Sequence, residues 1–118
     1  MFCLKKLEKQ TYKNFFVTVI LDKKNFTKKP IFKFKLNILI VGKKTMSFKR
    51  NIAAKVYASK YLAFIDSDTF AHKNWLKNSV KIFNNYKYNA IGGPSIPFPN
   101  QTFFEKVSHY AKRSYFLT

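Results

Sequence analysis

The segment that most constrains this chain is residues 61–69, YLAFIDSDT. A short apolar run from Tyr61 to Ile65 stops at two carboxylates, Asp66 and Asp68, with only Ser67 between them. An apolar run of that length between polar residues predicts a strand buried on both faces. Ligands of open α/β sheets collect at the carboxyl ends of such strands. Alternate residues at a strand end point the same way, so both carboxylates can face one cation. Together they make a hard, oxygen-rich donor pair suited to Mg²⁺ or Mn²⁺. Only five acidic residues stand against 23 basic ones in the whole chain, so two acids this close are not compositional background.

The elements around this segment alternate. Residues 3–10 have Leu4 and Leu7 three apart and predict a first helix. Residues 15–21 (FFVTVIL) are β-branched and aromatic and predict a strand ending at Asp22. The polar, lysine-rich stretch 22–30 reads as a loop, and 36–41 (LNILIV) predicts a second strand closed by Gly42. Ser47 can cap a helix to about Ser59, with Phe48, Ile52 and Val56 as its buried stripe. That helix would deliver the chain into the 61–65 strand, a right-handed crossover to a parallel neighbour. Trp75, Leu76, Ser79, Val80 and Phe83 share one face of a helix that starts near Asn74 and ends at Asn84-Asn85. Ala90-Ile91 predicts a short strand broken at Gly92-Gly93-Pro94, and Pro97 and Pro99 keep the following segment extended. Thr102 and Glu105 are spaced as a capping box for a last helix, with Phe104, Val107 and Ala111 on its buried side. The alternation argues for an α/β sheet in a single domain.

Several segments match one pattern. Gln10-Thr11-Tyr12 precedes a strand ending in Asp22, and Arg50-Asn51 precedes the apolar run that ends in Asp66-Ser67-Asp68. Asn74-Trp75-Leu76 and Gly92-Gly93-Pro94 follow. This arrangement resembles the family 2 glycosyltransferases of the GT-A fold, whose sheet is Rossmann-like, mostly parallel and flanked by helices. The resemblance implies a metal-dependent enzyme that binds a nucleotide-sugar donor and transfers the sugar, with inversion, to a glycan, lipid or protein acceptor. By that resemblance Asp22 contacts the nucleoside and Arg50 lies near the nucleotide. Asp68 is then the main ligand of Mn²⁺ or Mg²⁺, and Asp66 meets the ribose or shares the metal. The residues alone also allow Asp22 to be a plain turn residue after a strand. The family's first strand has no counterpart ahead of Met1, nor has its acceptor-side region after Thr118. The expectation is therefore a partial domain over 1–118, the donor-binding half. Sugar transfer with inversion needs a carboxylate base. Glu105 is the one acid after Asp68, and its capping position accounts for it, so no catalytic base is assigned.

Composition bounds the alternatives. The formal charge is +18, yet 47% hydrophobic and 19% aromatic residues exclude a disordered polyelectrolyte. The basic residues are scattered in doublets such as Lys5-Lys6 and Lys43-Lys44, in a chain also rich in Asn, Phe, Ile and Tyr, as A/T-rich coding produces. A basic protein using Tyr and Phe rings on single-stranded nucleic acid is the rival reading. Two exposed carboxylates at the centre of such a site argue against it, so no specific nucleic acid is expected. A haloacid-dehalogenase-type phosphatase also has Asp-x-Asp after an apolar strand, but it calls for Thr or Val where Phe70 stands. Cys3 is the only cysteine, which excludes an intrachain disulfide and a Cys/His zinc site. Neither His72 nor His109 has a second His or Cys at ligand spacing. With no apolar run of bilayer-spanning length, the expected location is cytoplasmic, at the membrane face.

Overall fold

The computed structural model describes residues 2–24, 30–69, 71–93 and 102–113, the side chains of residues 109, 112 and 113 excepted. Two units are distinguished, Met1–Tyr88 and Asn89–Thr118. The first contains α1 (Phe2–Leu7), β1 (Phe16–Leu21), β2 (Lys35–Ile40), α2 (Met46–Val56) and α3 (Trp75–Asn85); the second contains α4 (Phe103–Arg113).

The two strands pair in parallel, from Phe16 opposite Lys35 to Leu21 opposite Ile40, and the Val41 amide extends the ladder to the Leu21 carbonyl at 3.0 Å. Side chains alternate across a strand. Val17 therefore sits beside Leu36, and Val19 beside Ile38, on one face of the pair. That face meets the core of Cys3, Leu7, Phe34 and Leu36, against which Leu4, Ile65, Ala71 and Trp75 also pack. Phe34 meets two rings, Phe15 tilted at 5.4 Å and Phe32 stacked at 5.0 Å. Phe16, one residue out of phase, points to the opposite face and meets Tyr57 edge-on at 5.9 Å, just past the end of α2. The sheet is thus covered on both sides by helical segments, an α/β arrangement.

Several sequence expectations change. Parallel pairing joins β1 to β2, not β2 to the 61–65 segment. Residues 61–65 form no ladder among the described residues and are irregular; Leu62 is 52% and Phe64 55% exposed. The run marks apolar character, but a strand also needs a neighbour to take its backbone hydrogen bonds. Only its end, Ile65, reaches the core. Ala90-Ile91 is likewise not a strand. The first helix ends at Leu7, and residues 8–10 follow as tighter turns, with Gln10 N–H donating to the Leu7 carbonyl.

α2 ends at Val56, short of Ser59, and its cap is Thr45, whose hydroxyl accepts from the Phe48 amide, in place of Ser47. Its inward face is Lys49, Ile52 and Ala53, whereas Phe48 and Val56 of the expected stripe are about half exposed. The face of α3 is as read: Trp75, Leu76, Ser79, Val80 and Phe83 are its half-buried residues. In α4 the capping box forms, but Phe104, Val107 and Ala111 are exposed. Residues 25–29, Phe70, Pro94, Pro97, Pro99 and the His109 ring lie outside what is described. Among the described residues no helix is long and apolar enough to cross a membrane.

Candidate functional site

Two consecutive cations on α2 gather two carboxylates that lie far apart in sequence. Asp22 directly follows β1, where the strand's last residue, Leu21, is still paired. Lys49 Nζ sits 2.6 Å from Asp22 Oδ1. Arg50 Nη2 sits 2.9 Å from Asp66 Oδ1. Neighbouring helix residues diverge by about a quarter turn, so α2 reaches one acid on either side. The Arg50 guanidinium also lies 5.9 Å from the centre of the Phe64 ring, a cation–π contact that holds the fork near the end of the apolar run. Three of the four expected site residues, Asp22, Arg50 and Asp66, are therefore linked through α2.

Asp68 is set by a turn. The Thr69 amide and hydroxyl both donate to the Asp66 carbonyl, at 3.2 and 2.9 Å, folding the residues 66–69 back on themselves. Asp68 is exposed and has no ion pair or hydrogen bond with the described residues. Its charge is felt nonetheless: burial above all pushes the Cys3 thiol above its ordinary value, and Asp68 adds to that rise. Among the described residues no group of three or more His, Cys, Asp or Glu gathers as a metal site.

The other two acids are otherwise engaged. Glu8 Oε1 accepts from the Lys33 amide at 2.9 Å. Glu105 Oε2 accepts from both the Thr102 amide and hydroxyl at 2.8 Å, and these bonds hold its carboxyl below the usual range. His72 is exposed; its ring Nδ1 accepts from the Asn74 amide, a local contact that accounts for it without a cation.

The model of glycosyl transferase family 2 matches residues 2–118. The chain belongs to family 2 of the glycosyltransferases. Glycosyl transfer is accordingly its class of chemistry, and the α/β arrangement of this family member agrees with that assignment. No curated protein and no solved structure matches.

Two residues near these positions, Lys49 and Gln10, hold structural partners to which the sequence does not point. Lys49 had no signal beyond being one lysine among many, although its spacing to Ile52 and Ala53 places it on the inward face. Gln10 is fully buried. Its Nε2 donates to the His72 carbonyl at 2.8 Å, and its Oε1 accepts from the Leu76 amide at 3.1 Å. With the Thr11 amide donating to the Lys73 carbonyl at 2.9 Å, it ties the turn after α1 to the segment just beyond Asp68.

Proposed function

We propose that the chain is the donor-binding half of a metal-dependent, inverting glycosyltransferase. Asp22 contacts the nucleoside, Arg50 the nucleotide, Asp66 the ribose or the metal, and Asp68 the metal. The observation that carries this is the gathering of Asp22 and Asp66 by Lys49 and Arg50 of one helix, in a chain of few acids. The donor set fits Mn²⁺ or Mg²⁺, since Asp66 and Asp68 supply hard oxygens and the remaining positions suit phosphate oxygens and water. When bound, the metal supplies Lewis-acid neutralisation of the departing diphosphate.

The chain's own residues do the rest. Arg50 offers a planar, permanently charged fork suited to a diphosphate. Its bond to Asp66 leaves the guanidinium about half exposed, so it can meet an anion from solvent. Asp22, also about half exposed, can accept a hydrogen bond from a nucleoside. Glu8 and Glu105 are committed to backbone amides, so neither is assigned as the base for the acceptor hydroxyl. The acceptor, whether glycan, lipid or protein, is left open.

Calorimetry with UDP- and GDP-sugars, in Mn²⁺ and then with excess chelator, tests this. Binding that requires the metal is expected. Equal affinity in chelator would remove the metal from the reading, and no binding to either donor would remove the donor site itself.

A further inference from the structure

We infer that Lys49 is a positioning residue that fixes the Asp22 carboxylate for the nucleoside; this rests on the donor-site reading above. Asp22 is the first residue after β1, just past the last ladder bond at the Leu21 carbonyl, and its side chain is 49% exposed. A carboxylate there would ordinarily sample several rotamers. Lys49 comes from the inward face of α2, in register with Ile52 and Ala53, and its side chain is only 16% exposed. Its methylene stem is thus packed while its ammonium reaches Asp22 Oδ1 at 2.6 Å. The second oxygen, Oδ2, carries no hydrogen bond to the described residues, so one oxygen is anchored and the other is presented.

The neighbouring pair differs in kind. Arg50 and Asp66 are 45% and 58% exposed, so both partners are open to solvent and to a ligand. Lys49 is the covered member of the two cations, placed to hold a protein group and poorly placed to touch a ligand itself. Preorganising one acceptor reduces the ordering that binding would otherwise require. Arginine retains the charge and can reach the same oxygen, whereas methionine retains the stem alone.

The experiment measures dissociation constants of UDP and GDP, with Mn²⁺ present, for wild type, Lys49→Met, Lys49→Arg, Asp22→Asn and the Lys49→Met/Asp22→Asn double variant. Thermal unfolding of each variant is recorded alongside. Lys49→Met is expected to weaken nucleotide binding about tenfold, and Lys49→Arg to stay within about twofold of wild type, as loss or retention of a charge-assisted bond implies. In the Asp22→Asn background, Lys49→Met should cost no more than about a further twofold, because the two residues act as one unit. A purely structural lysine would lower the unfolding midpoint in both backgrounds and leave the nucleotide affinity of the folded protein unchanged. That result, or additive losses from Lys49→Met and Asp22→Asn, overturns the role of Lys49 while the donor site stands. If wild type binds neither nucleotide, both readings fall together.

Discussion

Gln10 and His72, 62 residues apart, are joined by a hydrogen bond of 2.8 Å from a side chain with no exposed surface. The same amide accepts from Leu76 N–H, in the first turn of α3, where helix donors lack partners of their own. Asn74 sits at the cap position but makes no side-chain cap bond, so Gln10 serves that end of α3 from across the fold. Gln10→Ala should therefore cost about 2–4 kcal/mol, from two orphaned groups and the space left behind. Urea denaturation checks it, and a loss below about 0.5 kcal/mol would mean that water replaces the clamp.

The two acids of the 66–69 turn should respond differently to neutralisation. Asp68→Asn removes a carboxylate with no partner among the described residues, so stability should hold within about 0.5 kcal/mol. Metal-dependent donor binding should fall at least about tenfold, as loss of one of two anionic ligands implies. Asp66→Asn should weaken the same binding and also release Arg50, an exposed pair worth about 0–1 kcal/mol. Calorimetry with Mn²⁺ and a nucleotide sugar, beside urea melts, separates the effects. Unchanged donor affinity in Asp68→Asn would exclude it as a ligand.

The start of α2 offers a sharp comparison. Thr45 holds the Phe48 amide at 3.3 Å, while Ser47 lies inside the first turn. Thr45→Ala should destabilise the chain by about 1 kcal/mol, and Ser47→Ala by no more than a few tenths. Equal losses would move the cap.

The capping box of α4 should be pH-sensitive. Because the bonds from Thr102 lower the Glu105 carboxyl, its contribution is full above the ordinary carboxylate range and is lost as pH falls through the depressed value. The Thr102 amide resonance should follow that titration and become flat in Glu105→Gln, whose amide oxygen accepts at any pH. A titration of the Thr102 amide that persists in Glu105→Gln would assign it to another group.

The charge of +18 should give RNA binding that is weak, indifferent to sequence and lost between low and physiological salt. Fluorescence anisotropy with two unrelated RNA oligomers measures it. Tight, selective binding at physiological salt would favour a nucleic-acid partner.

Local chemistry was readable in the chain and tertiary partnership was not. The strands 15–21 and 36–41 lie within one residue of β1 and β2, because β-branched runs next to a turn leave little choice. The face of α3 and the Thr102–Glu105 box follow from spacing alone. The 61–65 run has the same apolar signal as a strand, but strand formation depends on a partner edge, which no local pattern encodes. Thr45 and Ser47 are both sound caps by residue type, and the choice rests on where the backbone turns. For the site, Asp66 and Asp68 stood out as acids in a basic chain. Lys49 stayed hidden and Gln10, though part of the Gln-Thr-Tyr segment, had no readable partners, since a lysine among many and a polar residue after a helix acquire meaning only when the fold supplies Asp22, His72 and Leu76.

The long reach of the Gln10 clamp also bears on the order of assembly. The β1–β2 ladder closes a short stretch of chain, whereas the two side-chain bonds of Gln10, to His72 and Leu76, span 62 and 66 residues. Loop-closure entropy grows with that separation, and distant contacts reward it only after nearer ones have formed. The strand pair and α2 should thus make up the folding nucleus, with α1 docking on α3 after the rate-limiting barrier. A chevron analysis of Gln10→Ala would then place its loss in the unfolding limb, with the refolding rate nearly unchanged. The clamp that holds the segment beyond Asp68 is in that sense a kinetic lock, the last to close and the first to open.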